Sequence, residues 1–315
     1  MRKQYIEVPL PMDCSPVQKV WQKLVGLLLM PYYLLSAWFL RTPGTKIHII
    51  CMFMAIRLFL LRRISLHRAF ALIFYPMDST RYFEFHEVIK SLKYFHFNRY
   101  LDVSSPRLMP LILLKQNKDA SGVMINPDVF DIQETTKLIA ALELTDRCIL
   151  RNTTIEMLDF PEETFDLLTC LSVLEHIPSD ESAVKKMWSL LQPGGKLILT
   201  LPCKSELLEQ YISRNDYGVL SAGADGYTFW QRYYDSERLE STIYRITGMP
   251  ARVAVYGEKK YGLFFRNAAM KRLLGSYYPF WREPYMMATE YRAFSSIDEL
   301  PGEGVAILEF IKPAK

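Results

Sequence analysis

Three polar side chains follow a short hydrophobic strand predicted at Phe165 to Cys170. They are Ser172, Glu175 and His176, in the segment LDFPEETFDLLTCLSVLEHIP. Histidine titrates near neutral pH, and a base at this place would remove a proton from an O- or N-nucleophile. In an open α/β sheet, ligands bind in the crevice outside the carboxyl ends of the strands. We therefore expect Ser172 to contact a ligand, and Glu175 and His176 to be catalytic.

The elements that would position these side chains alternate along the chain. Strands are predicted at 97–103, 122–126 and 148–151, with helical spacing over 107–117 and 131–144. Strands that alternate with helices indicate a parallel, doubly wound sheet with right-handed crossovers. The carboxyl ends of such strands share one edge, so the side chains that follow them are brought together there.

Two motifs in this order resemble the class I S-adenosylmethionine-dependent methyltransferases of the methyltransferase type 11 kind. The segment quoted above is similar to that family's fourth-strand region. LQPGGKLILTL at 191–201 resembles its next element, a helix end, a Pro-Gly-Gly turn and the fifth strand. The resemblance implies an α/β, Rossmann-like, doubly wound and mostly parallel sheet. Its antiparallel last strand pair would be 252–256 and 304–310.

The resemblance divides the chain into a basic, hydrophobic and helical N-terminal region, 1–96, and a methyltransferase-like domain, 97–315. It implies methyl transfer from S-adenosyl-L-methionine to a small-molecule acceptor, either lipid-linked or sugar-containing. The residues it places against the cofactor follow the predicted strands and are Asp102, Ser104, Ser105, Asn126, Thr154 and Ser172.

Three family contacts are replaced in this chain. The glycine-rich turn after the first strand reads Ser104, Ser105, Pro106, whose side chains would crowd a close approach. Met124 aligns with the acid that holds the ribose, and Thr154 aligns with the acid that contacts adenine. Two interpretations follow, an altered cofactor pocket or a non-catalytic binding or scaffold protein at a membrane.

His176 also has two interpretations. It is either a general base or a positioning residue, because much of the rate in this family comes from alignment of the nucleophile with the methyl group. A similar choice concerns Arg81, Glu84 and Glu87, which share one helical face. They either cover the active site or form a solvated face with a local ion pair.

An insert at about 203–250 is predicted to cap the substrate site. It contains a dense group of aromatic, guanidinium and carboxylate side chains that suits a polar ring or a sugar-like ligand. The expected substrate contacts are Tyr227, Gln231, Arg232, Tyr233 and Asp235. The other interpretation is an aromatic cap helix on the sheet, with Asp235 or Ser236 as its N-cap.

The first 70 residues are basic and carry two uncharged or nearly uncharged apolar runs, 24–40 and 47–61. This region has a formal charge of +8, whereas the whole chain has +4. The combination predicts peripheral contact of residues 20–70 with an anionic membrane. A helical subdomain packed on the catalytic domain and a true membrane span are the other interpretations.

The remaining composition argues against several kinds of site. The five cysteines and five histidines have no metal-ligand spacing, so we expect reduced thiols, no metal and a cytoplasmic protein. If residues 20–70 contact a membrane, we expect the inner face. Basic residues are dispersed in a net acidic body, which argues against nucleic-acid binding.

Overall fold

The structure is a computed structural model and describes residues 2–7, 12, 15–213 and 220–314. A large sheet lies at its centre. Numbered along the chain, the strands are β1 Arg2–Ile6, β2 Arg99–Val103, β3 Ser121–Ile125, β4 Cys148–Arg151, β5 Phe165–Leu171, β6 Leu191–Cys203, β7 Leu208–Ile212, β8 Thr228–Tyr233, β9 Arg252–Glu258, β10 Tyr291–Phe294 and β11 Gly304–Ile311. The order in the large sheet is β10-β9-β11-β6-β5-β2-β3-β4.

This order confirms the predicted fold class. The five strands from β4 to β6 are parallel, whereas β11 pairs antiparallel with both β6 and β9. The chain runs outward from β2 to β4 and then returns through β5 on the other side of β2. The strand order therefore reverses between β2 and β5, where a doubly wound sheet opens its binding crevice. The additional edge strand β10 was not predicted.

The helices cover the two faces of this sheet and part of its edge. They are α1 Pro16–Phe39, α2 Thr45–Leu60, α3 Leu66–Phe74, α4 Arg81–Ser91, α5 Leu108–Gln116, α6 Val129–Ala141, α7 Asp180–Leu190, α8 Ser236–Arg238, α9 Arg245–Thr247, α10 Leu263–Leu274 and α11 Glu283–Glu290. Alternation along β2 sends Tyr100 into one apolar cluster and Leu101 and Val103 into the other. The sheet thus has a core on each face.

Helix α4 belongs to the main core, although it precedes the predicted domain boundary at 96. Its residues Phe83, Phe85 and Val88 are buried in the same cluster as Tyr100 of β2. The alternative that Glu84 and Glu87 lie on a solvated face is wrong, because both are buried. Glu87 accepts hydrogen bonds from Arg252 and Tyr256 of β9. Helix α4 therefore fastens the N-terminal region to the sheet.

The insert after β6 forms a small sheet and a helical segment. Strand β7 pairs parallel with β1 and antiparallel with β8. The helical segment continues from α8 through a π-helical turn, Leu239–Tyr244, into α9. Asp235 caps it by accepting a hydrogen bond from the Arg238 amide at 2.8 Å. The expected aromatic cap helix is therefore a strand pair, and only the N-cap was predicted correctly.

The cysteines that the structure describes are all buried. Cys51, Cys148, Cys170 and Cys203 are buried free thiols, and Cys14 lies outside the described residues. Among the residues described, no helix combines the length and the apolar character that are needed to cross a bilayer.

Candidate functional site

A cavity of about 520 Å³ opens at the carboxyl ends of the parallel strands, above the reversal between β2 and β5. Loops after β2, β3, β4 and β5 form its floor, and the small sheet covers one side. Five of the six predicted cofactor residues lie in its wall, Ser104, Ser105, Asn126, Thr154 and Ser172. His176 lines the same cavity. The structure therefore brings these six residues together at the edge of the sheet that the sequence indicated.

The first loop keeps a glycine-like backbone at one serine. Ser104 has φ +52°, in the left-handed region that glycine adopts without strain. Its hydroxyl donates to the Ile125 carbonyl at 3.0 Å. The Ser105 hydroxyl is buried and accepts a hydrogen bond from the Leu171 amide at 3.0 Å. Because both hydroxyls bind neighbouring strands, they leave the cavity open.

Asp102 does not line the cavity. Its carboxylate is buried and accepts hydrogen bonds from Thr169 Oγ1 at 2.7 Å, from Tyr100 at 3.2 Å and from the Ser105 amide at 3.1 Å. Burial raises the pKa of Asp102 to about 6, although these hydrogen bonds lower it. The carboxylate therefore holds the first loop against β2 and β5 and does not face a ligand.

The end of β3 differs from the alignment made from the sequence. Met124 is buried in the core, and Asn126 is the residue that lines the cavity at this strand end. The Asn126 amide donates to Asp131 at 2.9 Å, and its oxygen accepts from the Asp128 amide at 2.9 Å. Asp128 caps α6 and also lines the cavity. Asp128 and Asp131 thus bring carboxylates to the place where the family holds a ribose.

Glu156 supplies a carboxylate beside Thr154. Both residues line the cavity, and the Ser179 hydroxyl donates to Glu156 at 3.3 Å. Sequence alignment placed Thr154 at the family's acidic position and overlooked Glu156 two residues later. The carboxylate is shifted by only two residues along the loop after β4, and the side chain of Glu156 lines the same cavity as that of Thr154.

Arg81 joins the N-terminal region to the cavity. It lines the wall, and its Nη1 donates to both oxygens of Glu84 at 2.8 Å. Glu84 also accepts from Thr200 at 2.7 Å and from Ser172 at 3.0 Å. Burial lowers the pKa of Arg81, but the carboxylates of Glu84, Asp78 and Glu175 raise it above its ordinary value overall. The wall therefore presents a fixed positive charge.

Glu175 is buried next to this network and is not part of the cavity wall. Burial raises its pKa to about 8, and the Glu84 carboxylate adds to that rise, while Arg81 opposes it. Its Oε2 has no hydrogen-bond partner among the residues that the structure describes. At neutral pH this side chain is therefore largely the neutral acid, which a buried site tolerates better than a carboxylate.

His176 faces the cavity as a neutral ring. Its Nδ1 is 2.5 Å from the Trp230 carbonyl, which can only accept, so the proton is on Nδ1. Burial lowers the pKa of His176 to about 4, and Arg81 contributes to the decrease. Its Nε2 is 3.8 Å from Glu175. A weakly basic, oriented ring suits positioning better than proton abstraction.

The five predicted substrate residues lie outside the main cavity, and their polar groups bind other protein groups. Gln231 donates to Gln210 at 2.7 Å, and Tyr233 donates to Glu303 at 2.7 Å. Tyr227 donates to Glu7. Asp235 accepts from the Leu207 amide at 3.0 Å besides its capping bond. Arg232 is buried between Asp180 at 2.8 Å and Glu209 at 3.1 Å.

The neighbours of these residues line the cavity instead. They are Thr228, Phe229 and Trp230 of β8. Gln231 pairs with Gln210 and Phe229 pairs with Tyr211, so Trp230 is an extra residue in the ladder. Such a bulge re-aims side chains beside binding sites, and here it also turns a carbonyl toward His176. The sequence showed the aromatic cluster but could not show which members face inward.

A second, open cavity of about 700 Å³ adjoins the first. It lies between α3 and the helices α5 and α6, and it shares Arg81, Pro106 and Asp131 with the main cavity. Tyr75 and Phe280 form an aromatic side of this groove. In the described part of the chain, no group of three or more histidine, cysteine or acidic side chains is arranged to hold a metal.

Replacement of Glu175 by glutamine should change how stability depends on pH. The unfolded carboxyl releases its proton near pH 4.5, whereas the folded one keeps it to about pH 8. Stability therefore falls as pH rises through this window. The free energy of unfolding of Glu175→Gln, relative to that of the wild type, should therefore rise by about 3–5 kcal/mol from pH 5 to pH 9. This follows because one pKa unit corresponds to about 1.36 kcal/mol. Urea unfolding at both pH values measures this, and exposed Glu162→Gln should show no such gain.

Replacement of Arg232 by methionine should destabilise the fold strongly. It leaves buried Glu209 without its cation and removes one of the two arginines that pair with Asp180, because Arg238 remains 2.6 Å from that carboxylate. Breaking a buried ion pair in this way costs about 3–5 kcal/mol. The control is Arg245→Met, because Arg245 is exposed and pairs with Glu181 at 3.2 Å, a surface bridge worth about 1 kcal/mol or less. Urea unfolding compares them, and equal losses would contradict the assignment of Arg232 as a buried structural cation.

Comparisons with known proteins agree with this fold. Residues 111–199 match the methyltransferase domain family, so the match begins after the altered first loop. Ubiquinone biosynthesis O-methyltransferase of Coxiella burnetii is 28% identical over 93 residues, which are 30% of this chain and 38% of that protein. The enzyme of the same name from Alkalilimnicola ehrlichii is 43% identical over 61 residues, 19% of this chain and 25% of its own.

The chain thus spans well under half the length of these curated relatives. Among solved structures, the MccD protein superposes with a TM-score of 0.50 at 10% identity, over 73% of this chain and 96% of that one. At this identity the likeness concerns the fold. The strand order and the family match together show that this chain contains a class I methyltransferase domain.

Proposed function

We propose that this chain transfers a methyl group from S-adenosylmethionine to a small-molecule acceptor. The observation that carries the proposal is the 520 Å³ cavity at the reversal between β2 and β5, in a domain of the methyltransferase family. Its volume lies within the range of small-ligand sites. Its wall has polar loop residues on one side, for the cofactor, and Phe229 and Trp230 on the other, for the acceptor.

The first loop is compatible with the methionine part of the cofactor. Ser104 reproduces the left-handed backbone that glycine otherwise supplies, and its hydroxyl is bound to Ile125. Ser105 is turned into the sheet. A cofactor can therefore approach this backbone more closely than the residue types alone suggest, and the crowding expected from the sequence is removed.

Carboxylates on the next two loops suit the nucleoside part. Asp128, beside Asn126, can accept from ribose hydroxyls, and Glu156, beside Thr154, can accept from the adenine amino group. Ser172, held by Glu84, borders the methionine end. Each group in this set is an acceptor where the cofactor offers donors.

Bound there, S-adenosylmethionine would supply an electrophilic methyl group. Phe229, Trp230 and Ile212 form an apolar wall that excludes water and holds the acceptor in line with that group. That group would be transferred to an oxygen of the acceptor, S-adenosylhomocysteine would be the second product, and the proton of the acceptor would pass to solvent. His176 fixes Trp230 through its carbonyl and acts as a positioning residue.

A ring-bearing, lipid-linked acceptor fits the site better than a sugar. The acceptor side is aromatic, and Gln231 and Arg232, two of the residues predicted to contact a sugar, bind other protein groups. The open groove at α3 has an aromatic side at Tyr75 and Phe280, where an apolar tail would lie, and a charged side that includes Arg107 and Lys137. Both relatives described above are named for O-methylation in ubiquinone biosynthesis, so a hydroxyl on a ring is the first acceptor to test.

A non-catalytic binding protein is the second candidate. Its specific support is Pro106, which removes one amide donor from the loop that meets the cofactor. This candidate retains the cavity but loses methyl transfer. Cofactor binding and turnover distinguish the two.

Titration calorimetry should show that S-adenosylmethionine and S-adenosylhomocysteine each bind to one site per chain and compete for it. Glu156→Gln should weaken binding by about tenfold, since a hydrogen bond to a charged group is lost. Glu162→Gln is the matched control because Glu162 is exposed and outside the cavity wall. No heat at millimolar ligand would falsify the cofactor assignment.

Turnover of a catechol that carries an alkyl tail tests the role of His176. With a positioning role, His176→Ala should raise KM for the acceptor several-fold and leave the pH profile between 5.5 and 8 unchanged, because the pKa of the ring is about 4. Exposed His96→Ala should match the wild type. If the wild type shows an acid limb near pH 6.5 that the variant lacks, His176 is the general base.

A further inference from the structure

Helices α1 and α2 expose large apolar side chains along their outer faces. On α1 these recur every three or four residues, so they form one continuous stripe, Val17, Trp21, Leu24, Leu28, Tyr32, Leu35 and Phe39. On α2 the corresponding residues are Ile50, Phe53 and Leu60. We call these ten residues the apolar face. Monomeric proteins rarely expose apolar surface in such continuous runs.

The opposite faces of the same helices are packed. Met30 and Leu34 of α1 are buried against Phe74 and Trp281. Cys51 and Leu58 of α2 belong to the main core. Both helices therefore lie along the surface of the folded domain, and the apolar face stays exposed because the packing holds it outward.

The chain segment that carries this face has basic charges only. No aspartate or glutamate occurs from Cys14 to Met77, a stretch that contains eight lysines and arginines. Arg63 and Arg68 form ion pairs with Glu143 and Glu134 of the domain. The others are exposed and have no carboxylate partner among the residues that the structure describes, Lys19, Lys23, Arg41, Lys46, Arg57 and Arg62.

We propose that the apolar face docks on the surface of an anionic phospholipid bilayer. Apolar side chains of a surface helix insert roughly 5–10 Å, to the boundary between headgroups and acyl chains. Lys46 and Arg57 recur on α2 at the same three- and four-residue spacing as Ile50, Phe53 and Leu60, and Arg41 and Arg62 follow the ends of α1 and α2. These four cations would lie near the lipid phosphates, where each contributes about 1 kcal/mol. A second copy of this chain is a poorer partner, because two acid-free, basic surfaces would repel one another.

Flotation of the full chain with vesicles tests the proposal. The protein should bind vesicles of phosphatidylcholine mixed with phosphatidylglycerol, bind pure phosphatidylcholine weakly, and dissociate as salt is raised. Arg57→Gln should weaken binding about fivefold, the effect of one basic charge near an anionic surface. The control Arg292→Gln, an exposed arginine of β10, should not.

Charge reversal in the apolar face provides the second arm. Leu28→Glu and Phe53→Glu should each weaken vesicle binding at least tenfold, because a carboxylate would enter the lipid interface. The matched controls are Met249→Glu and Tyr94→Glu, which alter comparably exposed residues elsewhere. Circular dichroism checks that all four variants fold.

Three results would overturn the proposal. One is the absence of binding to anionic vesicles, and another is equal binding by Leu28→Glu and Met249→Glu. The third is a dimer in sedimentation velocity that Leu28→Glu dissociates, which would assign the apolar face to a second copy of the chain. None of these measurements uses methyl transfer, so they are independent of the proposed activity.

Discussion

The buried carboxylate of Glu84 connects the parts of this protein that form its site. It accepts hydrogen bonds from Thr80 and Arg81 at the start of α4, from Ser172 after β5 and from Thr200 of β6. Loss of one partner of a buried charge costs several kcal/mol, so these elements are held in one arrangement. The side chain of Glu84 thus couples the N-terminal region to two strands beside the cavity.

The same constraint explains the chemistry of the neighbouring groups. Burial raises the pKa of Glu175, and the neighbouring Glu84 carboxylate raises it further. Arg81, which is already paired with Glu84, offsets this rise only in part. Burial also lowers the pKa of the adjacent His176, so that its ring is neutral at neutral pH. Around His176 the cavity wall therefore combines the Arg81 cation with a neutral ring, whereas its carboxylates lie on the loops after β3 and β4. The surroundings of His176 favour alignment of a substrate over proton abstraction.

Local replacement of family residues is compensated by tertiary contacts. Ser104 carries the backbone conformation of a glycine because Ile125 binds its hydroxyl, and Asp102 supports the loop from below through the Ser105 amide. Glu156 and Asp128 bring carboxylates to places where the aligned positions hold threonine and methionine. An alignment of single positions misses such exchanges, since it compares residue types and not the space they occupy.

The sequence alone determined the seven predicted strands of the sheet and the edge at which polar groups collect, because hydrophobic runs and turn residues are local signals. The predicted residues that share the cavity are Ser104, Ser105, Asn126, Thr154, Ser172 and His176. Only the tertiary structure decided which residues of the insert face the cavity and that Glu84 is buried. A β-bulge at Trp230 and packing between residues 88 or 116 positions apart set these outcomes, and no local pattern encodes them.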